Sequence, residues 1–164
     1  YLIDKEKDLK KKKEVIYELV ETIRATLFRQ TMFAEFEKDV HQRIENNEVL
    51  TCDDLNKIYY DLNKKYFGEN IIVDEQIKYE WLRIPHFYTP FYVYKYATGL
   101  SAAIIIAKNI LDKKEGYKEK YIEMLKQGCT KKVVPLLKMV DVDLEDSRTY
   151  ENAILWMKDL YEKL

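Results

Sequence analysis

The sequence predicts an all-α fold, and three features lead to that prediction. Apolar residues recur at steps of three and four along most of the chain, which is the period of a helix with one buried face. Only four Gly and three Pro occur among 164 residues, too few turn residues for a sheet of many strands. The hydrophobic fraction of 47% is enough for a packed core and excludes a disordered chain.

The main predicted element is a long first helix over about residues 7–46, where neither Gly nor Pro occurs. A single helix of that span would be about 60 Å long, so either one helix or two nearly collinear ones fit the pattern. Such a length is unusual in a small isolated domain and indicates a piece of a larger one. Residues 1–3 resemble the end of an earlier apolar helix. The apolar positions form two series, Ile16, Leu19, Ile23, Leu27 and Phe28, Met32, Phe36, Val40.

Two shorter helices are predicted next from their capping residues. Thr51 and Asp54 have the spacing of a capping box, which predicts a helix that begins there. This helix should end near Gly68, because glycine readily takes the left-handed backbone conformation of a helix end. Asp74 is expected to cap a further short helix, and Pro85 interrupts it.

A third strong helix is predicted over residues 91–111, from the apolar run that ends it. Gly99, Ser101, Ala102 and Ala103 lie in this segment, and their small side chains would let a neighbouring helix approach closely.

The remaining chain predicts three helices. They cover about residues 117–127, a short piece within residues 131–140, and a last helix capped by Ser147 or Thr149. No internal repeat, linker or domain boundary is visible, so residues 1–164 are expected to form a single helical region.

Charge and cysteine content exclude several classes of protein. Lys and Arg number 28 against 29 Asp and Glu, so neither nucleic acid nor a membrane is an expected partner. The longest apolar stretch, Leu100–Ala107, is far shorter than the roughly 20 residues of a membrane-spanning helix. Cys52 and Cys129 are far apart and form no disulfide framework, which favours a cytoplasmic location.

Metal and nucleophile motifs are not evident in the sequence. The chain contains two histidines, His41 and His86, and no HExxH. Glu37 and His41 are four residues apart rather than the three of a di-iron Glu-x-x-His pair, so His41 is expected to be a solvated helix residue. Cys52 lies near a helix N-terminus without an identifiable histidine partner. No metal site can therefore be assembled from these residues.

Residues 83–96 carry a different pattern, in which one histidine and several tyrosines surround two prolines. A tyrosine with a pKa near 10 is a neutral hydroxyl donor at pH 7, and imidazole can also donate. Such groups suit the stabilisation of an oxyanion or the binding of a peptide carbonyl. Composition alone favours a simpler interpretation, in which the tyrosines belong to the core and their hydroxyls bind backbone or water.

Two blocks of the sequence resemble the oligoendopeptidase F family of M3 zinc metallopeptidases. The first is FRQTMFAEFE at residues 28–37. The second is WLRIPHFY at residues 81–88, followed by FYVYKYATG at residues 91–99. Both blocks occur in the family's order and spacing, and the resemblance extends over essentially the whole chain.

The resemblance implies that this chain is the C-terminal part of the helical catalytic domain of a larger peptidase. In the family, HExxH supplies two zinc-binding histidines and a general-base Glu, and a downstream Glu completes the zinc site. Both elements precede the first block, so zinc would belong to the full-length parent, with no metal ligand in this fragment. The implied partners are short peptide substrates and the missing N-terminal part of the same chain.

The resemblance also implies roles for individual residues. His86 and Tyr94 would be catalytic, sharing with zinc the negative charge that develops when a zinc-activated water attacks the peptide. Tyr88 and Tyr92 would bind substrate, and Arg83 would hold the loop. We expect the fragment alone to be inactive and to self-associate through its apolar surface. The alternative is a non-catalytic helical module for binding or scaffolding.

Overall fold

The computed structural model describes residues 2–164, apart from the side chains of Leu2 and Asp4. All regular elements in this part of the chain are helical, which confirms the predicted all-α fold. Residues 1–3 were predicted to end an earlier helix, and of these three residues Tyr1 lies outside the described part of the chain. The α-helices are α1 Leu2–Lys5, α2 Leu9–Ile23, α3 Arg29–Glu45, α4 Cys52–Phe67, α5 Tyr94–Leu111, α6 Tyr117–Lys126, α7 Val133–Lys138 and α8 Ser147–Tyr161.

The chain divides into two compact units. The central unit, named for its place in the sequence, consists of Ala25–Ala97. The terminal unit consists of the described residues up to Arg24 together with Thr98–Leu164. None of the described helices is long and apolar enough to cross a membrane.

The predicted long helix is a continuous helical run from Leu9 to Glu45, but it is neither the first helix nor uniform. Helix α1 precedes it, and a π-helical segment at Arg24–Phe28 separates α2 from α3. A π turn accommodates an extra residue, which agrees with the change of apolar phase between Leu27 and Phe28. The Asp8 side chain caps the start of this run by accepting hydrogen bonds from the backbone amides of Lys10 and Lys11.

In the central unit, α4 packs against α3 and against a 3-10 segment at Glu75–Arg83. The predicted capping box is present, since the Thr51 amide donates to Asp54 at 2.8 Å and the Asp54 amide donates to the Thr51 hydroxyl. Gly68 ends α4 with φ 77°. The buried core consists of Met32, Phe33, Phe36, Tyr59, Leu62, Ile84 and Val93.

The stretch before the candidate site is 3-10 helical rather than α-helical. Asp74 caps Glu75–Arg83 as predicted, accepting a hydrogen bond from the Gln76 amide at 2.8 Å. After a break at Ile84, a second 3-10 segment covers Pro85–Tyr88, with the proline at its start.

In the terminal unit, α2 packs against α8. A second group of buried residues lies between α5, α6 and the segment after α7. Within this group, the buried Tyr117 hydroxyl donates a hydrogen bond to the Val140 carbonyl at 2.7 Å. The buried members of this group are Ala102, Tyr117, Met124, Val140 and Val142.

Two predicted helix starts are wrong. Helix α5 begins at Tyr94 and not at Phe91, because Phe91 has φ 53° and cannot be part of a right-handed helix. Helix α8 is capped by Asp146, whose carboxylate accepts a hydrogen bond from the Arg148 amide at 3.0 Å. Thr149 instead donates its hydroxyl to a backbone carbonyl earlier in the chain.

The small residues of α5 differ in their surroundings. Ser101 and Ala102 are buried, as the predicted close approach requires. Gly99 and Ala103 are exposed, and a Cβ placed on Gly99 would meet nothing within 4 Å in the described part of the chain.

Candidate active site

A cluster of one imidazole and two phenol rings lies in the central unit. His86, in the second 3-10 segment, stacks on Tyr92 with ring centroids 5.5 Å apart and planes inclined by 5°. The Tyr96 ring meets His86 edge-on at 5.6 Å, and its hydroxyl lies 3.3 Å from His86 Nε2. The two tyrosine rings also contact each other at 5.6 Å. We call His86, Tyr92 and Tyr96 the His–Tyr cluster.

Buried neighbours position both halves of the cluster. Ile84 precedes the second 3-10 segment and Val93 precedes α5, and both side chains belong to the buried core. Pro85 directly follows Ile84, and its ring fixes the backbone angle φ at the start of the second 3-10 segment. Tyr92 and Tyr96 are four residues apart across the start of α5, a spacing that brings side chains to one face.

The electrostatics of the cluster keep the Tyr96 phenol neutral. A hydrogen bond donated by the Tyr96 hydroxyl to Tyr92 is the main cause that raises the pKa of Tyr96 above its ordinary value, and burial and the charge of ionised Tyr92 act in the same direction. A tyrosine with a raised pKa remains a hydroxyl donor at pH 7. Between Tyr96 and His86, the direction of the hydrogen bond follows the tautomer of the imidazole.

The four residues predicted from the sequence take different positions. His86 and Tyr92 come together in the cluster, where each keeps part of its surface exposed. Tyr94 is the first residue of α5 and is 48% exposed. Tyr88 is 81% exposed at the end of the second 3-10 segment.

Sequence reasoning missed Tyr96 as a member of the site. The residue stands in the quoted block at residues 91–99, but nothing in the block distinguishes it from Tyr94. Its spacing of four from Tyr92 was the available signal.

A buried carboxylate fixes the segment that leads into His86. Glu80 Oε1 accepts from Arg29 at 2.6 Å and Oε2 accepts from the Tyr59 hydroxyl at 2.8 Å. Arg83 also pairs with Glu80, consistent with the loop-holding role expected for it. Burial opposes ionisation of Glu80, but these hydrogen bonds and the arginine charges outweigh it, so the pKa of Glu80 lies below its ordinary value. Burial and the Glu80 carboxylate raise the pKa of Tyr59.

A second buried carboxylate holds the turn between His86 and Tyr92. Glu37 on α3 accepts a hydrogen bond from the Phe91 amide at 2.7 Å. His41, one helical turn later, is partly buried, and its ring lies 4.9 Å from the Phe91 ring. The expectation that His41 is simply a solvated residue is therefore wrong.

The described residues do not by themselves fit a zinc ion. A zinc site needs at least three protein ligands that converge on one point. Within residues 2–164 no three His, Cys, Asp or Glu side chains do so. Cys52 and Cys129 are both exposed free thiols.

Comparison with known proteins identifies relatives of the whole chain. Residues 1–155 match peptidase family M3. The chain is 40% identical over 164 residues to oligopeptidase PepF of Bacillus subtilis and 43% identical over 164 residues to an oligoendopeptidase F homolog of Borreliella burgdorferi. It is covered completely in both comparisons and spans 24% and 28% of those two relatives.

A solved structure supports the same relationship. The crystal structure of oligoendopeptidase F from Enterococcus faecium superposes with a TM-score of 0.88 at 36% identity, over 100% of this chain and 33% of that protein. The fold is therefore that of a fragment of the helical domain of an M3 peptidase. The chain belongs to peptidase family M3, with oligoendopeptidase F proteins among its relatives.

Proposed function

We propose that the full-length protein containing this chain is a zinc-dependent oligoendopeptidase that hydrolyses short peptides. In this proposal, residues 1–164 are the C-terminal portion of its catalytic domain. The observation that carries the proposal is a partly exposed His–Tyr cluster and an exposed Tyr94 on the same short segment, in a chain of peptidase family M3. Two free, exposed cysteines also agree with a cytoplasmic location.

We assign stabilisation of the oxyanion to His86 and Tyr94. Attack on a peptide carbonyl moves negative charge onto its oxygen, and fixed donors stabilise that charge more than they stabilise the neutral substrate. Tyr94 is half exposed, so part of its ring faces the solvent from which a substrate would approach. His86 is oriented by stacking on Tyr92 and by the Tyr96 hydroxyl, so its imidazole does not need to reorganise during the reaction.

We assign peptide binding to Tyr88 and Tyr92. Tyr88 is the most exposed tyrosine of this segment, and Tyr92 is 37% exposed beside the imidazole. A phenol ring offers both an apolar face and a hydroxyl, which suits a peptide of variable sequence.

Zinc in this proposal is held by the part of the protein that this chain lacks. The described residues provide no convergent set of ligands, and the chain spans about a quarter of its curated relatives. We expect the isolated fragment neither to bind catalytic zinc nor to cleave peptides, and to self-associate in sedimentation experiments.

The test is to measure kcat, KM and bound zinc for the full-length protein and two variants. Tyr94→Phe removes one hydroxyl and keeps the ring, and loss of one oxyanion donor lowers kcat by about 10²–10³. KM should change little, because the hydrogen bond from Tyr94 stabilises the bound substrate less than it stabilises the transition state. His86→Ala should also lower kcat without loss of zinc. Tyr79→Phe is the matched control, since Tyr79 is 50% exposed in the same unit.

Two results would contradict the proposal in different ways. Wild-type kcat in Tyr94→Phe, with the control unchanged, would remove the catalytic assignment of Tyr94. A full-length protein that cleaves no peptide in the presence of zinc would favour the alternative, a non-catalytic helical module.

A further inference from the structure

The turn that joins the two halves of the His–Tyr cluster is held in an unfavourable backbone conformation. Phe91 has φ 53°, in the left-handed region that a bulky residue with a Cβ rarely adopts. Such a conformation persists only where surrounding contacts impose it. Phe91 directly follows Pro90 and directly precedes Tyr92, so its backbone sets the direction in which Tyr92 leaves the turn.

Two residues of α3 supply contacts that impose this conformation. Glu37 is only 6% exposed, and its carboxylate accepts the Phe91 amide proton at 2.7 Å. His41 lies one turn further along the same helix, and its ring is 4.9 Å from the Phe91 ring. The backbone and the side chain of Phe91 are thus both held from one face of α3.

Helix α3 is a rigid support for these contacts. Met32, Phe33 and Phe36 fill the core of the central unit immediately before Glu37. A buried carboxylate has a high desolvation cost, which its hydrogen bonds must offset. The Phe91 amide, 54 residues away in the sequence, provides one such hydrogen bond, and this amide belongs to the turn of the cluster.

We infer that Glu37 and His41 are positioning residues, which hold Phe91 in its left-handed conformation and thereby keep Tyr92 stacked on His86. Neither residue belongs to the cluster itself. Glu37 acts through the Phe91 amide, and His41 acts through the Phe91 ring. The consequence for peptide hydrolysis rests on the proposed function, whereas the consequence for the geometry of the cluster does not.

The test uses the full-length protein with two substitutions at Glu37. Glu37→Leu removes the acceptor and keeps an apolar side chain of similar size. Glu37→Gln keeps a carbonyl oxygen that can still accept the Phe91 proton. The matched control is Glu35→Leu, because Glu35 lies on the same helix and its carboxylate is bonded by Lys65 and Tyr66, away from the turn.

Three properties are measured for each variant. They are kcat and KM with a fluorogenic peptide, the melting temperature, and the imidazole NMR signal of His86 in protein with labelled histidine, assigned by its loss in His86→Ala. A stacked phenol ring shifts this signal, so the signal reports the Tyr92–His86 contact without any need for activity.

We expect Glu37→Leu to move the His86 signal and to lower kcat about 10- to 100-fold, the effect of a small misplacement of reacting groups. Glu37→Gln should remain close to wild type in both properties. Glu35→Leu should lower the melting temperature while leaving kcat and the His86 signal unchanged. His41→Ala should move the His86 signal in the same direction as Glu37→Leu, and His41→Phe, which keeps a ring, should not.

The inference is overturned if Glu37→Leu leaves the His86 signal at its wild-type position. It is also overturned if Glu35→Leu moves that signal equally, since both residues would then act only through stability. If the wild-type full-length protein has no peptidase activity, the proposed function fails, and the NMR comparison still decides the inference.

Discussion

The two units of the molecule differ most in the polar groups that they bury. Of the buried polar residues in the described part of the chain, both carboxylates, Glu37 and Glu80, lie in the central unit. The buried polar residues of the terminal unit are the neutral Ser101 and Thr149. A charged group costs far more to bury than a hydroxyl, so the unit that carries the candidate site is also the one that holds the costly groups.

The cores of the two units also differ in their side chains. The central core contains aromatic pairs, with Phe36 meeting Tyr59 at 5.2 Å and Phe87 at 5.2 Å. The core of the terminal unit is mainly aliphatic and includes a single aromatic side chain among its buried members, Tyr117. Large rigid rings leave their neighbours fewer alternative positions than flexible aliphatic chains do, and two of them, Phe33 and Phe36, contact Phe87, the residue after His86.

This comparison indicates what the buried carboxylates are for. Replacing a buried ion pair by hydrophobic residues is often neutral or stabilising, so stability alone does not explain the presence of Glu80, which pairs with Arg29 and Arg83. Glu80 ties the segment before His86 to α3 and α4, and Glu37 holds the turn after it. Their contribution is to fix positions, and the terminal unit, which carries none of the proposed site residues, buries only neutral polar groups in its described part.

The largest expected difference between the units is in the response to a lost charge. Glu80→Gln should destabilise the central unit by about 3 kcal/mol, because it leaves Arg29 and Tyr59 without their carboxylate partner. Asp141→Asn in the terminal unit should cost at most about 1 kcal/mol, since the ion pairs of Asp141 with Lys114 and Lys120 are exposed. Hydrogen exchange, followed separately for peptides of each unit in the full-length protein, measures both. Equal losses in protection would contradict the comparison.

A pair of tyrosine substitutions should give a smaller difference. Tyr59→Phe removes a hydrogen bond to a carboxylate, which is worth about 1.5–3 kcal/mol. Tyr117→Phe removes a hydrogen bond to the neutral carbonyl of Val140, which is worth about 1 kcal/mol. Denaturant unfolding monitored by hydrogen exchange in each unit separates the two. The comparison fails if the loss at Tyr117 is the larger one.

Acidification should weaken the central unit through Glu80. The pKa of this carboxyl is below its ordinary value of 4.5 in the folded state, so ionised Glu80 stabilises the fold at neutral pH. This contribution is complete above the unfolded pKa and is lost as the pH falls through the lower, folded pKa.

The measurement is exchange protection of residues 75–83 between pH 6 and pH 3, corrected for the intrinsic rate. Wild-type protection should decline over that range more steeply than the protection of Glu80→Gln, which has no proton to take up at this position. Parallel declines would show that other carboxylates dominate the acid response.

The smallest expected effect is a gain in the terminal unit. Gly99→Ala places a methyl group where nothing lies within 4 Å among the described residues, inside the regular helix α5. Alanine is favoured over glycine in a helix interior by about 0.5–1 kcal/mol, so the melting temperature should rise slightly. A fall in melting temperature would instead indicate that another part of the full-length protein packs against Gly99.

The sequence alone determined the helical class, the family and the helix ends that depend on local contacts. The Thr51–Asp54 capping box, the Asp74 cap and the glycine at the end of α4 were all predictable, because each depends on groups within four residues of one another. The cap of α8 was misplaced, by one residue for Ser147 and by three for Thr149, because Asp146, Ser147 and Thr149 are all competent caps. Only packing selects among them.

The tertiary structure decided the features that make the candidate site. Tyr96 joins His86 across ten residues, Arg29 reaches Glu80 across 51, and Glu37 reaches Phe91 across 54. The left-handed Phe91 is locally unfavourable, and the π segment at Arg24–Phe28 departs from regular helix. Local sequence signals act over about one helical turn, whereas these contacts exist only because the packed core brings distant segments together and stabilises conformations that the local chain would not choose.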